Sequence, residues 1–265
     1  MSEQKSLGTA VITGASSGLG SIYADRLAKR GYDLLLVARR GDRLEALATK
    51  LRAAYGVSIA TEVADLAKVE DLARVARAVA ADGVTMLVNN AGSATMAPLA
   101  GTAGAKVDAM TDLNITALTH LTLAALPGFK ARDAGTIVNI GSVLSYHALP
   151  VSSAYSGTKG YVMNFTRGLQ EELAGTGVRV QLVLPAATAT EIWEVGGMSL
   201  DSFDPATVMT AAHCVDAALA GLDAGEAITL PSVEDAALFA AYGAARLALF
   251  AGGQSGQPAS RYHLT

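Results

Sequence analysis

Short apolar runs alternate along this chain with longer stretches in which apolar residues recur at helical spacing. The runs occupy residues 9–13, 33–38, 57–63, 84–88, 136–140, 178–184 and 227–230. Because polar residues seldom interrupt them, they indicate strands buried on both faces, as in parallel sheets. Helices between successive strands then have to cover both faces. The sequence therefore predicts an α/β fold, a Rossmann-like doubly wound parallel sheet of about seven strands with helices on both faces.

The helical stretches differ in length and polarity. They cover approximately residues 42–55, 106–132, 152–175, 205–222 and 236–251. Asp65 is a candidate N-cap for a further helix, and residues 232–235 resemble a capping box that opens the last one. The last stretch is the most apolar, but it is shorter than the ~20 residues that span a bilayer and contains Arg246, so we expect a packed helix. No linker divides the chain, which predicts a single domain over residues 1–265.

Composition narrows the classes of function. Of 265 residues, 51% are hydrophobic and 17% are charged, which suits a globular protein with a large core. The formal net charge of −4 provides no basic surface for nucleic acid or anionic lipid, so neither nucleic acid nor a membrane is expected as a partner. The single cysteine, Cys214, cannot form an internal disulfide, and residues 1–5 lack the apolar core of a signal peptide. We therefore expect a cytoplasmic protein.

A glycine-rich turn follows the first strand and precedes a helical stretch. The turn contains Gly14, Ser16, Ser17, Gly18, Leu19 and Gly20. Glycines let the backbone approach a pyrophosphate closely, and the amides and dipole at the start of the helix favour its negative charge. The order of strand, turn and helix therefore predicts a nucleotide-binding site.

Tyr155 and Lys159 are four residues apart in the predicted helix 152–175, so they share one face of it. A positive charge beside a phenol favours the phenolate and lowers the pKa of the tyrosine from about 10 toward neutrality. Ser142 comes just after the apolar run at 136–140, at the strand end where parallel sheets bind ligands, and its hydroxyl could hold a substrate oxygen. An ordinary pair on a helix surface has the same spacing, so the pair alone does not establish catalysis.

Together, the Gly-x-x-x-Gly-x-Gly turn, the run Asn89-Asn90-Ala91-Gly92 and the serine thirteen residues before Tyr155 resemble the short-chain dehydrogenase/reductase family over nearly the whole chain. The resemblance implies an oxidoreductase that interconverts a carbonyl and an alcohol. In that family the tyrosine donates or accepts the proton, the lysine lowers its pKa and binds the nicotinamide ribose, and the serine orients the carbonyl. These roles fall on Tyr155, Lys159 and Ser142. Asn114 occupies the position of the asparagine that binds a water in the proton relay.

The second strand ends at Arg39 rather than at an acidic residue. An acid would bind the adenosine ribose, whereas an arginine offers donors to a 2′-phosphate, so we expect NADP(H) in preference to NAD(H), with a solvated arginine as the alternative. Ser16 would add a second hydrogen bond, and Arg40 would only screen charge. The resemblance implies further cofactor contacts from Asp65, Leu66, Asn90, Ala91, Gly92, Pro185, Ala186, Thr188 and Thr190. Ala186 replaces the family's usual glycine and would strain the turn if its φ were positive.

Residues 186–222 correspond to the segment that covers the substrate in this family. Within it, Trp193 is expected to face the substrate, with ordinary core packing as the alternative. Leu144 and His147 lie between Ser142 and Tyr155 and are further candidates for substrate contact. None of the four histidines has metal-ligand spacing, so no metal is expected. The resemblance also implies a homodimer or homotetramer.

A catalytically silent, nucleotide-binding regulatory protein of the same fold is the competing hypothesis, because fold alone does not establish function. The presence of Ser142, Tyr155 and Lys159 favours the enzyme. The sequence does not name the substrate. The few charged residues in the predicted covering segment indicate a neutral, fairly hydrophobic carbonyl compound.

Overall fold

A central parallel sheet of seven strands organises the computed structural model, which describes residues 6–263. The strands of the chain are β1 (Thr9–Thr13), β2 (Asp33–Ala38), β3 (Ile59–Val63), β4 (Val84–Asn89), β5 (Gly135–Ile140), β6 (Val178–Val183), β7 (Thr188–Ala189), β8 (Met209–Thr210) and β9 (Ile228–Thr229). The sheet has the order β3-β2-β1-β4-β5-β6-β9, and β7 pairs with β8 separately. The predicted doubly wound sheet is confirmed, with strand boundaries close to the predicted ones.

Nine helices accompany these strands among the described residues. They are α1 (Gly18–Lys29), α2 (Gly41–Tyr55), α3 (Val69–Val79), α4 (Gly104–Thr111), α5 (Leu118–Arg132), α6 (Ser153–Glu172), α7 (Ile192–Val195), α8 (Ala211–Asp223) and α9 (Ala236–Gly252). Two large clusters of buried side chains lie between helices and sheet. Ile12 of β1 belongs to the cluster with α1, α2 and α8, and its neighbour Val11 belongs to the cluster with α3, α5 and α6. Since successive strand residues point to opposite faces, both faces of the sheet are covered.

These two clusters supply the hydrophobic stabilisation of the fold. Leu27, Leu36 and Leu44 in one cluster, and Leu87 and Ile137 in the other, are 0% exposed. Complete burial of one such side chain contributes about 1.5–3 kcal/mol relative to leaving it in water. The continuous apolar runs of the sequence are thus explained by strands that pack helices on both sides.

The strand order reverses at β1, which creates a crevice at the carboxyl edge of the sheet. The chain passes from β1 to β2 on one side and later places β4 on the other side of β1. Connections that diverge in this way leave a ligand-binding crevice between them. Gly14 follows β1, Asn90 follows β4, and the Asn90 side-chain amide donates to the Thr13 carbonyl at 2.8 Å. The turn after β5, which contains Ser142, lies at the same edge because β5 pairs with β4.

A buried chain of polar side chains crosses from β4 to α6. The Asn89 amide donates to Thr122 and to the Asn139 side-chain oxygen, and the Asn139 amide donates to Thr166. All four residues are at most 3% exposed. Their mutual hydrogen bonds offset part of the cost of removing these groups from water, and Asn89 Oδ1 is left without a partner among residues 6–263. Asn89 therefore stabilises the sheet next to the crevice.

The predicted helix 106–132 is divided into two helices in the structure. α4 ends at Thr111, residues Asp112–Ala117 form a π-helical turn, and α5 begins at Leu118. A π-helical turn accommodates an extra residue and is frequent at functional sites. The turn contains Asn114, so the irregular backbone sets the direction of that side chain.

Other helix starts also differ from the predictions. α3 begins at Val69 rather than beside Asp65, whose carboxylate accepts from the Ala67 amide in a local turn. The predicted helix 205–222 begins only at Ala211, after a short 3₁₀ turn, because Thr210 accepts from the His213 amide as N-cap. Asp235 alone caps α9, accepting from the Ala237 amide, so the capping box expected at residues 232–235 is not formed.

Contacts divide the chain into two compact units, Met1–Pro231 and Ser232–Thr265. The first contains the whole sheet and the crevice. In the second, α9 forms where predicted, and none of its residues is buried. The expectation of a packed helix stays a prediction. The single domain over residues 1–265 stays a prediction, and residues 1–5 lie outside the described range. No helix within residues 6–263 is both long and apolar enough to cross a membrane.

Gly20→Ala is expected to destabilise the fold by roughly 1–3 kcal/mol, the usual cost of overpacking a tight contact. A Cβ atom at Gly20 would collide with the Gly14 carbonyl and the Asn90 side chain. Urea unfolding of the variant measures the cost. Gly168→Ala is the control, since a Cβ there meets nothing within 4 Å on α6, and we expect a gain of about 0.5–1 kcal/mol. Equal effects of the two substitutions would contradict the close approach.

Candidate active site

α6 presents Tyr155 and Lys159 on one face, as their spacing predicts. Both residues are buried, at 6% exposure each. The Lys159 ammonium donates to the Ile140 carbonyl at 2.9 Å and lies 5.8 Å from the centre of the Tyr155 ring. Since Ile140 ends β5, the lysine fixes α6 against the carboxyl edge of the sheet.

Ser142 stands two residues beyond β5 and caps a short 3₁₀ helix. Its hydroxyl accepts from the Leu144 amide at 3.1 Å, and its own amide donates to Ser145 at 3.3 Å. The same hydroxyl is hydrogen-bonded to Tyr155. Two hydroxyl groups, from different elements, therefore point to one position where a substrate oxygen could bind.

The pKa of Tyr155 departs from the sequence-based expectation. Burial raises the pKa of the phenol to about 12, although the hydrogen bond from Ser142 acts in the opposite direction. Burial also lowers the pKa of Lys159 to about 8. Desolvation thus outweighs the attraction between ammonium and phenolate that the spacing suggested, and the phenol stays protonated at neutral pH.

Asn114 is buried next to Lys159 and Gly92. Its amide donates to the Ser93 carbonyl at 2.9 Å and to Thr158 at 3.0 Å, and its oxygen accepts from the Ser93 amide. A Cβ atom at Gly92 would lie 3.3 Å from the Asn114 oxygen and 3.7 Å from the Lys159 nitrogen. These contacts fix Asn114 between the loop after β4 and α6.

The turn from Gly14 to Gly20 has the features of an anion-binding loop. Gly14 and Gly18 adopt positive φ angles of 68° and 53°. α1 has no acidic residue in its first turn, and the Ser17 side chain does not cap it. The first amides of α1 are therefore free of a side-chain acceptor and suit a pyrophosphate. The residues present fit a dinucleotide.

The two arginines after β2 have different environments. Arg39 is exposed and makes no hydrogen bond or ion pair with residues 6–263. Arg40 turns back over the glycine-rich loop, where Nε donates to Ser16 at 3.1 Å and Nη2 donates to Ser17 at 2.6 Å. Its Nη1 donates to Glu191 at 2.6 Å. Arg40 is thus an ordered part of this corner, and the expectation that it would only screen charge is wrong.

Other residues expected to contact a nucleotide follow strands at the same edge of the sheet. The Ala91 amide donates to the Thr13 hydroxyl at 3.0 Å, which holds the loop Asn90-Ala91-Gly92 against the glycine-rich turn. Asp65 and Leu66 follow β3, and Leu66 is 4% exposed. Their position after β3 places them at the carboxyl edge.

Residues 185–190 continue from β6 along this edge. The Pro185 carbonyl accepts from the Val143 amide, and Thr188 accepts at its carbonyl from the Trp193 indole at 2.8 Å. A Cβ atom at Gly18 would lie 3.2 Å from the Thr190 methyl group, so the two residues are close together. Among residues 6–263 only Asp133 and His263 are non-glycine residues with positive φ, so Ala186 causes no strain.

Tyr155 belongs to an apolar cluster. Its buried members are Ala94, Met96, Met110 and Tyr155, against which Leu144, Ala154, Ile192, Trp193 and Met198 pack. Trp193 also packs on Phe203, with ring centres 4.6 Å apart. His147 is exposed. The structure therefore brings Leu144 and Trp193 to Tyr155 and leaves His147 at the surface.

Sequence reasoning missed three side chains of this site. Glu191 and Arg43 form an ion pair beside the glycine-rich turn, and Thr158 binds Asn114. Thr158 lies within the Tyr-x-x-x-Lys motif, so the sequence already indicated that it lies on α6. Nothing in the sequence pairs Glu191 with arginines about 150 residues away. No group of three or more His, Cys, Asp or Glu among the described residues could hold a metal.

The fold, the glycine-rich turn and the side chains of Ser142, Tyr155 and Lys159 define a dinucleotide-binding protein with a Ser-Tyr-Lys site. The family model of the short chain dehydrogenases matches residues 8–196, and the chain therefore belongs to this family.

Three similar proteins illustrate the relationship. A short-chain dehydrogenase from Sphingobium yanoikuyae, solved in complex with NADPH, is 42% identical with a TM-score of 0.93, over 97% of this chain and 100% of that one. The bulky-bulky ketone specific alcohol dehydrogenase from Comamonas testosteroni is 36% identical with a TM-score of 0.89, over 97% and 99%. Very-long-chain 3-oxoacyl-CoA reductase-A of Danio rerio is 32% identical over 200 residues, which are 74% of this chain. The match spans only 63% of that relative's length.

Lys159→Met is expected to reveal the cost of the buried ammonium through its pH dependence. Because the pKa of Lys159 is lowered from 10.5 to about 8, the unfolded chain binds more protons between these values, and wild-type stability rises with pH there. Below pH 8 the wild type carries the full cost, about 3 kcal/mol at about 1.4 kcal/mol per pKa unit. The stability of the variant relative to wild type should therefore fall by that order between pH 7 and pH 10.5.

Urea unfolding at several pH values measures this difference. The lost hydrogen bond to Ile140 lowers the stability of the variant at every pH, so the slope is the informative quantity. Lys50→Met, on the exposed surface of α2, removes an ammonium that water already hydrates and should give a flat difference. A flat difference for Lys159→Met as well would mean that the buried charge costs nothing.

Proposed function

We propose that the protein is an NADP(H)-dependent oxidoreductase that interconverts a ketone or aldehyde and the corresponding alcohol. The observation that carries the proposal is the convergence of Ser142 and Tyr155 on one position, with Lys159 buried beneath them. The nicotinamide would supply or accept the hydride. The glycine-rich turn, the loop Asn90-Ala91-Gly92 and residues 185–190 would hold the cofactor.

The side chains divide the proton chemistry between them. Ser142 donates a hydrogen bond to the carbonyl oxygen and orients it. Tyr155, protonated at neutral pH, gives its proton to that oxygen as negative charge develops there, or accepts it in the reverse direction. Lys159 then lies close enough to stabilise the phenolate that remains. Asn114 holds Ser93 and Thr158 and would position a water next to Lys159. A silent regulatory protein would need none of this, and the family membership also disfavours it.

The cofactor preference rests on the two positively charged residues after β2, Arg39 and Arg40, which we call the positive corner. Arg39 is exposed and free to approach a 2′-phosphate, and Ser16 and Arg40 lie beside it. No acidic residue follows β2 directly to bind the ribose hydroxyls. The Sphingobium yanoikuyae protein, which is 42% identical, was solved with NADPH. These features support NADP(H) over NAD(H).

The substrate is a neutral, bulky and hydrophobic carbonyl compound. Met96, Met110, Leu144 and Trp193 surround Tyr155 with apolar surface and provide no charge to bind an ionic group. The similar Comamonas testosteroni enzyme is specific for bulky-bulky ketones. Residues 186–222 would cover the substrate, because Trp193 reaches the catalytic tyrosine from this segment.

A homodimer or homotetramer in the cytoplasm completes the proposal. Leu123 on α5 is 58% exposed, and Tyr161 on α6 is 38% exposed and stacks on Phe165. Apolar surface on two neighbouring long helices favours association with a second copy. Size-exclusion chromatography with light scattering would give the mass in solution.

Tyr155→Phe should lower turnover at least 10²-fold, because general acid and base assistance contributes typically 10²–10⁴-fold. The ring remains, so NADPH affinity, measured by fluorescence, should change little. Tyr161→Phe on the same helix is the control, since its hydroxyl contacts only Thr119 among the described side chains. Near-normal turnover of Tyr155→Phe on a validated ketone would refute the proton-transfer role.

Arg39→Asp should weaken NADPH binding roughly ten- to hundredfold and leave NADH binding similar or stronger. Charge-assisted hydrogen bonds contribute about 1.5–3 kcal/mol each, and the new carboxylate repels the 2′-phosphate. Dissociation constants for both cofactors test this. Arg77→Asp makes the same charge change in the last turn of α3, at the opposite edge of the sheet, and should not alter the ratio. An unchanged ratio in Arg39→Asp would assign Arg39 to the solvated surface.

A further inference from the structure

Glu191 occupies the positive corner of the nucleotide site. Its Oε1 accepts from Arg43 Nη1 and its Oε2 from Arg40 Nη1, both at 2.6 Å. Arg40 is the N-cap residue of α2 and Arg43 lies in the first turn of that helix. One carboxylate therefore pairs with two guanidinium groups and leaves one positive charge uncompensated next to Ser16 and Ser17, where the 2′-phosphate is expected.

The carboxylate is charged under all ordinary conditions. The guanidinium groups of Arg43 and Arg40 lower the pKa of Glu191 to about 2. The three side chains are nevertheless 42–52% exposed, so solvent screens their attraction. A dianionic phosphate carries more charge and three acceptor oxygens, and can replace a half-exposed carboxylate on Arg40.

Glu191 is also the residue directly before α7. Two residues further on, the Trp193 indole donates to the Thr188 carbonyl and its ring packs against the cluster around Tyr155. The Gly196 carbonyl accepts from the Met96 amide at 2.9 Å. The same short segment thus contacts the nucleotide corner at one end and the apolar substrate cluster at the other.

We propose that Glu191 is an internal competitor of the 2′-phosphate that sets cofactor specificity and links it to the substrate segment. Its carboxylate ties the start of residues 191–196 to Arg40 and Arg43 at the beginning of α2. A 2′-phosphate displaces the carboxylate from Arg40 and frees the segment to adjust around the substrate. The proposal rests on the proposed preference for NADP(H).

The single tryptophan of the chain, Trp193, reports on this segment by its fluorescence. The probes are adenosine 2′,5′-bisphosphate and adenosine 5′-monophosphate, which differ only in the 2′-phosphate and carry no nicotinamide. Calorimetry gives their dissociation constants independently of fluorescence. In the wild type we expect the bisphosphate to shift the Trp193 emission to longer wavelength and the monophosphate to leave it unchanged.

Glu191→Gln removes the competing charge and keeps the size of the side chain. We expect it to bind the bisphosphate about three- to fivefold more tightly, the upper part of the range for an exposed ion pair, and the monophosphate within about twofold of wild type. Its emission without ligand should resemble that of the bisphosphate-bound wild type. Glu194→Gln is the matched control, because Glu194 lies three residues further on and its exposed side chain has no hydrogen-bond or ion-pair partner within residues 6–263.

Unchanged or weaker bisphosphate binding by Glu191→Gln would overturn the competition, and weaker binding would mean that Glu191 positions Arg40 for the phosphate. Unchanged Trp193 emission in the bisphosphate-bound wild type would overturn the release of the segment. If the wild type binds both probes equally, the NADP(H) preference itself fails. The competition then stands only if Glu191→Gln acquires a preference for the bisphosphate, and is refuted if it does not.

Discussion

The burial of the Lys159 ammonium is the constraint on which the rest of the site depends. A buried ammonium group requires a hydrogen-bond acceptor, and the carbonyl of Ile140 at the end of β5 provides one. This bond fixes the depth of α6, and thereby the position of Tyr155 relative to Ser142. The lowered pKa of Lys159 measures the cost of the arrangement. The buried charge is therefore held by a specific hydrogen bond rather than by solvent.

Local patterns predicted the fold and the central residues well. The apolar runs gave all seven strands of the main sheet, because strands buried on both faces leave a continuous signal. The four-residue spacing of Tyr155 and Lys159 gave their shared face, which depends only on helix geometry. The pKa of Tyr155 was predicted in the wrong direction, since burial depends on the surrounding elements and outweighs the nearby lysine. Likewise, the π-helical turn at Asn114 follows from packing against the loop after β4.

Side-chain contacts across long sequence separations were beyond sequence reasoning. Arg39 and Arg40 are chemically identical, and only the fold turns Arg40 back over Ser16 and Ser17 and leaves Arg39 exposed. For α9, the secondary structure was predicted correctly, whereas none of its residues is buried. Its composition correctly indicated a helix, but apolar composition does not determine which surface, if any, covers a helix within one chain.

The segment from Thr188 to Gly196 connects functions that are usually treated separately. Thr190 lies against Gly18 of the glycine-rich turn, Glu191 binds the corner after β2, and Trp193 packs beside Tyr155. A shift of this backbone by one ångström would therefore alter the pyrophosphate loop, the adenosine corner and the apolar cluster together. Geometry at the reacting centre tolerates little displacement. Residues 188–196 therefore join the glycine-rich turn, the arginines after β2 and the apolar cluster around Tyr155 in one continuous stretch of nine residues.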